Sequence, residues 1–305
     1  MAINYPLSTI HFPMNSRGLF TLIAFLTVTV PLSANDTALN EGAYGPAPVG
    51  GLHGPESVIR MQSEKLHIVF GKKWTEVDAK FVFRNTKKNS PAVQIVGFPD
   101  IGAAQVEARR RDPKGEKIFA VEQETPLTGV LRDMHTFVNG VEQKSQLRYG
   151  WVKEVDGVDT PVEKPDQNTG LMAWHAMEVA FPPGKDVTIE RRYRTHSGSQ
   201  VYGIHFFYYT TATGGVWQGT IGRLQADVTL KDGLKVDDLA WRGGKLPRIQ
   251  SGEGAMATTP NRKEWQVLSS TQLRLVWENF EPRTEKNRRG FYVVTQADAV
   301  PPEER

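Results

Sequence analysis

The chain has 305 residues, of which 39% are hydrophobic and 23% charged, so it is long enough for one large domain or two ordinary ones and is not globally disordered. Net charge is +3, and beyond the first 34 residues 36 basic side chains face 34 acidic ones along the whole sequence, which argues against a nucleic-acid partner. The absence of cysteine excludes disulfides, thiol nucleophiles, thiolate-bound zinc, iron–sulfur clusters and a lipidated N-terminal cysteine.

Asn15-Ser16-Arg17 precedes an apolar run from Gly18 to Val30, and Pro31-Leu32-Ser33-Ala34 and Asn35 follow it. Basic, apolar and small-residue parts in that order make a secretory signal peptide over residues 1–34, with cleavage expected after Ala34. The run falls short of the roughly 20 apolar residues that span a bilayer. Met14 offers an alternative start. The mature chain is therefore expected to be exported, periplasmic or secreted, with no transmembrane segment.

Residues 35–55 are rich in Gly, Pro and Ala and read as a flexible lead-in. From Val58 onward, apolar residues alternate. Leu66, Ile68 and Phe70 share one parity, and Val77, Ala79, Phe81 and Phe83 do the same, which is the period of half-buried strands. Pro91 to Phe98 is a further strand closed by Pro99-Asp100. Arg109 to Gly115 is a charged turn whose three arginines cannot converge on one ligand if extended, because successive strand residues point to opposite faces. Asn139-Gly140, Asp156-Gly157 and Asp232-Gly233 favour the primed turns of hairpins. Leu171 to Phe181 suits a strand or a short helix, and Val187 to Tyr193 is a strand.

Gln200 to Leu230 is the most distinctive stretch, reading as the central hairpin of the C-terminal half, two strands around a glycine-rich connection that carries Trp217. Two roles are open to its aromatics. Exposed, Tyr209 and Trp217 would form a stacking platform for a sugar or an apolar partner. Buried, they would be packing, with Trp217 folded back as a plug over the core, and aromatics on strands favour this second role. Trp265 to Leu268 pairs naturally with Gln272 to Trp277, Phe291 to Thr295 is a last strand, and residues 301–305 are a frayed tail.

Many short strands between turn signals predict an all-β, antiparallel β-sandwich. Two β-rich lobes are expected, at 56–196 and 197–300, with a boundary near His196-Ser197-Gly198-Ser199.

One set of short motifs resembles a known family. It includes Met61 to Glu64 with Leu66-His67-Ile68, Phe81 to Asn85, Gly97 to Asp100, Phe137 to Gly140, Phe181 to Gly184, Arg192-Tyr193, Thr213-Gly214, Trp217 and Ile221-Gly222. The family comprises exported bacterial β-rich proteins of about this length, catalogued as a domain of unknown function. The resemblance implies export and a β-fold, and it brings no activity and no catalytic residues.

The common serine-nucleophile, zinc-protease, P-loop, dinucleotide and EF-hand motifs are absent. No histidine pair has the i, i+2 spacing that a strand would need to hold one metal. His175 and Glu178 would be neighbours only on a helix. No cofactor, metal or catalytic residue is expected. The leading expectation is a non-catalytic protein that binds an envelope protein or glycan, adheres, or builds the envelope. Ligand contacts would come from Trp217, Tyr209, His205 and Arg223. The competing class is a hydrolase of an envelope glycan or peptide, with its site around His205, Trp217 and Arg223.

Overall fold

A computed structural model describes residues 32–34, 36–42, 45–48, 57–100, 130–155, 158–161, 170–199, 203–241, 262–282, 284 and 290–296. Three sheets account for them, and their only helices are short 3-10 turns. The largest sheet holds eight strands. Their order is β16 (Trp265–Ser269), β17 (Gln272–Phe280), β15 (Ile221–Leu230), β4 (Ile59–Phe70), β5 (Trp74–Asn85), β12 (Asp186–His196), β7 (Arg132–Val138) and β8 (Val141–Gln143). Every pairing in it is antiparallel except β15 with β4.

The second sheet runs β10 (Val158–Pro161), β9 (Gln146–Val155), β11 (Gly170–Phe181), β6 (Ala92–Pro99), β2 (Thr37–Gly42) and β3 (Gly45–Pro48). It curls until β3 lies against β9 and β10 at its far edge. The smallest sheet centres on β14 (His205–Thr210), with β18 (Gly290–Val294) along one edge. β1 (Leu32–Ala34) and β13 (Gly198–Ser199) share the other edge.

Alternation decides how the layers meet. Leu66, Ile68, Phe70, Val77, Ala79, Phe81, Phe83, Val187, Ile189, Leu224, Ala226 and Val228 face inward from the large sheet. Opposite them, Ala38, Val96, Phe98, Val179 and Phe181 come from the curled sheet, and Phe207, Tyr209, Phe291 and Val293 from the small one. The result is a β-sandwich with one continuous core, in which one broad sheet is covered by two narrower ones. Its outer face carries the opposite parity, Lys80, Arg84, Glu190, Arg192 and Arg274 among them.

Several expectations need correcting. The boundary near His196–Ser199 marks where the chain leaves the large sheet for the small one, and it separates no lobes. β15 and β17 return to the large sheet, β15 joins β4 with Leu224 opposite Glu64, and residues from both sides share one core. The lead-in is partly built into the fold, because Thr37–Leu39 pair with β6, and Ala38 and Leu39 are buried. The two strands of the distinctive stretch do not form a hairpin. β14 lies in the small sheet and β15 in the large one, so the glycine-rich connection crosses between layers through a 3-10 turn at Ala212–Val216.

Other expectations stand. Leu171–Phe181 is strand, within β11. Asn139 and Gly140 take φ values of 50° and 80° and join β7 to β8 as a primed turn. Asp232 and Gly233 are also left-handed, but they turn the chain into a 3-10 segment, not into a partner strand. The Arg109–Gly115 turn, the tail, the apolar run of the signal and Asp156-Gly157 lie outside the described residues.

Candidate functional site

A cavity of about 380 Å³ opens where the chain passes from β8, the edge of the large sheet, into β9 of the curled sheet. Register explains its lining. Gln146 stands opposite Ala176 and Arg148 opposite Trp174, while Ile95 stands opposite Glu178. Residues directly opposite in a sheet share a face, so these six point to one side of the curled sheet. That is its concave side, where Leu39, Val152, Met172, Trp174 and Ala176 form a separate apolar cluster with Ile95 packed against it.

The corner itself adds Gln143 and Lys144 to the cavity wall. The cavity therefore has a small apolar patch of Ile95 and Ala176, side-chain amides from Gln143 and Gln146, a basic wall of Lys144 and Arg148, and an acid at Glu178, while Met177, at the adjoining position of β11, turns its side chain to the main core. Neither Lys144 nor Glu178 belongs to an ion pair among the described residues. Trp174, fully buried one pleat from Ala176 on the same face, has an indole N–H without an acceptor there.

A second polar group is sealed inside the sandwich. Arg191 sits at an inward position of β12 between Ile189 and Tyr193, and is fully buried. Its Nε donates to Asp36 at 3.0 Å and its Nη1 to the Thr136 hydroxyl at 2.7 Å. Nη2 lies 2.9 Å from the same carboxylate, close enough for an ion pair but poorly aligned for a hydrogen bond. Burial pushes the Asp36 carboxyl upward, against the pull of Arg191.

Glu64 is buried nearby, turned inward beyond a bulge between Met61 and Ser63. The Tyr209 hydroxyl donates to it at 2.6 Å. Burial pushes the Glu64 carboxyl up to about 8, the Tyr209 hydrogen bond opposes this, and the nearby Asp36 adds to it. Asp100, also buried, accepts the backbone N–H of Val130 at 2.8 Å and lies 3.1 Å from His175 Nε2. It ties the end of β6 to the approach to β7. These interior groups have no access to solvent, and they serve the fold.

The residues singled out from the sequence do not converge. Trp217 is 1% exposed, its ring centroid lies 4.7 Å from that of Phe83, and its Nε1 donates to the Asp36 carbonyl at 2.9 Å. Tyr209 is wholly buried. Neither offers an exposed face for stacking, and the core role is the one they fill. His205 is half-buried at the start of β14. Arg223 stands on the outer face of the large sheet, paired with Glu278, so the sheet itself separates it from Trp217. His175 and Glu178 point to opposite faces of β11, as strand geometry requires, and only Glu178 reaches the cavity. The remaining cavity residues had no motif to mark them, because a corner between two sheets brings them together.

No family model matches the chain, and no curated protein does. Among solved structures, it is similar to a "putative nutrient binding protein" from Legionella pneumophila subsp. pneumophila str. Philadelphia 1. The TM-score is 0.53 at 17% identity, over 87% of this chain and 71% of that one. The two share a fold. The chain also matches an M1 zinc metallopeptidase from Deinococcus radiodurans, with a TM-score of 0.33 at 8% identity, over 79% of this chain and 43% of that one. Among the described residues, no group of three or more His, Asp or Glu side chains could hold a metal ion.

Proposed function

We propose that the protein is an exported β-sandwich that binds a small polar ligand in the cavity at the corner between β8 and β9. One observation carries this reading: Lys144 and Glu178, opposite in sign, line the same cavity and neither is held in an ion pair. On the outer face of the broad sheet several charges do pair across strands, as in Lys80–Glu190 at 3.0 Å, Arg84–Asp186 at 2.6 Å and Arg194–Asp133 at 2.6 Å. Concave sites with an apolar floor and a few polar groups are the usual form of ligand pockets, and a volume near 380 Å³ falls in their range. The nutrient-binding description of the Legionella protein accords with a binding role. Export rests on the N-terminal signal pattern, and it would place that role in the cell envelope.

The hydrolase alternative has no comparable support, since its three residues occupy different layers. A titration of the mature chain with the low-molecular-mass fraction of an envelope extract, followed by NMR, tests the binding reading. The Ile95 methyls and the Gln146 and Glu178 amides should shift together. Shifts scattered over the molecule, or none, would refute the pocket.

A further inference from the structure

We infer that the ligand of the cavity is a short peptide, added as an extra strand to β11 with its C-terminal carboxylate at Lys144, an inference that rests on the binding role proposed above. β6 lies along β11 from Trp174 to Phe181, but β9 begins only at Gln146, opposite Ala176. Beyond Ala176, the edge of β11 that faces β9 has no strand beside it among the described residues. Each residue of an antiparallel strand turns its N–H and C=O to one side, and the side alternates along the chain. The Asp100 N–H donates to the Ala173 carbonyl at 2.8 Å, on the β6 side. Counted from there along the unbroken register, Glu178 and Ala180 turn theirs to the open side. Among the described residues these two N–H and two C=O groups have no partner. Met177 adds main chain to the cavity wall, since its side chain packs on the main core. An open stretch of strand edge beside a cavity is the template on which extended peptides are bound.

Topology and charge set the direction. A peptide antiparallel to β11 takes up the line of β9 ahead of Gln146 and runs from Ala180 toward Ala176. The start of β9 blocks it there, so the peptide has to end. Its carboxylate then reaches the corner of Gln143, Lys144 and Gln146, where an ammonium and two side-chain amides can donate to it. A peptide laid the other way would bring its own ammonium against Lys144. Register sets the side chains, because directly opposite residues share a face. With the last residue opposite Met177, the one before it stands opposite Glu178, and a Lys or Arg there gives the acid its counter-charge. The residue opposite Ala180 lies on the face where Val93, on the far side of Ala180, is 68% exposed. An apolar side chain extends that strip.

The test uses the tetrapeptide acetyl-Leu-Ser-Lys-Ala, its C-terminal amide, and forms N-methylated at the Lys or at the Ser, titrated into the mature chain by calorimetry and NMR. The free acid should bind, and hydrogen exchange at the Glu178 and Ala180 amides should slow as they gain acceptors. The amide should bind about tenfold more weakly, the loss of one charge-assisted hydrogen bond, and Lys144→Gln should erase that difference. Methylation at the Lys nitrogen removes the donor aimed at the Glu178 carbonyl and should abolish binding. The Ser nitrogen points away from β11, so its methylation should be tolerated. Glu in place of the peptide's Lys should weaken binding to the parent and less so to Glu178→Gln. Lys144 and Glu178 are exposed, so both variants should fold as the parent does. Equal binding of the two methylated forms overturns strand addition, and equal binding of the amide overturns the carboxylate site. Cavity shifts from the extract but none from the tetrapeptide overturn the inference while sparing the binding role, and shifts from neither overturn both.

Discussion

Arg191 and Asp36 meet 2.9 Å apart with both side chains fully buried, one at the centre of the broad sheet and the other just ahead of β2. The pair ties the N-terminal segment to the middle of the core. A buried pair repays its desolvation only while both members are present, and deleting one strands the other. Asp36→Ala should therefore cost about 3–5 kcal/mol in denaturant unfolding. Replacing both partners, as in Asp36→Ala with Arg191→Met, should recover part of that loss. A double variant no more stable than Asp36→Ala would refute the stranded-charge account.

Glu64 makes stability depend on pH. Its carboxyl ionises near 4.5 in the unfolded chain and near 8 in the folded one. Between those values the folded protein holds a proton that the unfolded chain has lost, so this group's contribution is complete below 4.5 and falls as pH rises through 8. Its slope cannot exceed about 1.4 kcal/mol per pH unit. Glu64→Gln keeps an acceptor for the Tyr209 hydroxyl and removes the proton. Urea midpoints measured from pH 5 to 9 should fall for the parent and flatten for the variant, which should be the more stable of the two at pH 9. Parallel curves would contradict the buried-acid reading.

Trp217 and Arg223, both candidate ligand contacts in the sequence, should behave oppositely when truncated. Trp217→Ala empties a core site against Phe83 and orphans the Asp36 carbonyl, and should cost roughly 3–5 kcal/mol. Arg223→Ala loses a half-exposed pair with Glu278 and should change stability by no more than about 0.5 kcal/mol. Neither should alter binding at the cavity in folded protein. A stable Trp217→Ala that no longer binds ligand would restore the functional role considered for this residue.

The strands were legible because a period of two is a local property: Val77, Ala79, Phe81 and Phe83 declare their face whatever they pair with. What joins distant strands is not local. Nothing near Leu224 shows that it will lie beside Glu64, some 160 positions earlier in the chain. The two apparent lobes therefore share a sheet that sequence reading split. Glycine and aromatic density in Gln200–Leu230 suggested a hairpin, yet a crossover between layers needs the same small residues around Trp217. Arg191 and Glu64 were marked by parity, since Val187, Ile189 and Tyr193 share the side of Arg191, and Leu66 and Ile68 that of Glu64. Reading charged residues as solvated hid both. The cavity had no local mark, because it exists only where β8 and β9 belong to different sheets.

Export can be checked at the same end of the chain. Cleavage after Ala34 would remove Leu32–Ala34, which pair in parallel with Tyr208–Thr210 at one edge of β14. It would leave Asp36 as the second residue of the mature protein, with Thr37 next and β2 intact. Intact-mass analysis of the secreted or periplasmic protein should therefore give a chain beginning at Asn35, from either Met1 or Met14. Losing a three-residue edge strand should cost little, because the other edge of β14 keeps its pairing to β18. A chain made to begin at Thr37 loses only Asn35 and Asp36 more, yet it should be destabilised as much as Asp36→Ala, since it too strands Arg191. If both truncated forms unfold at the same denaturant concentration, Asp36 is not the anchor of this terminus.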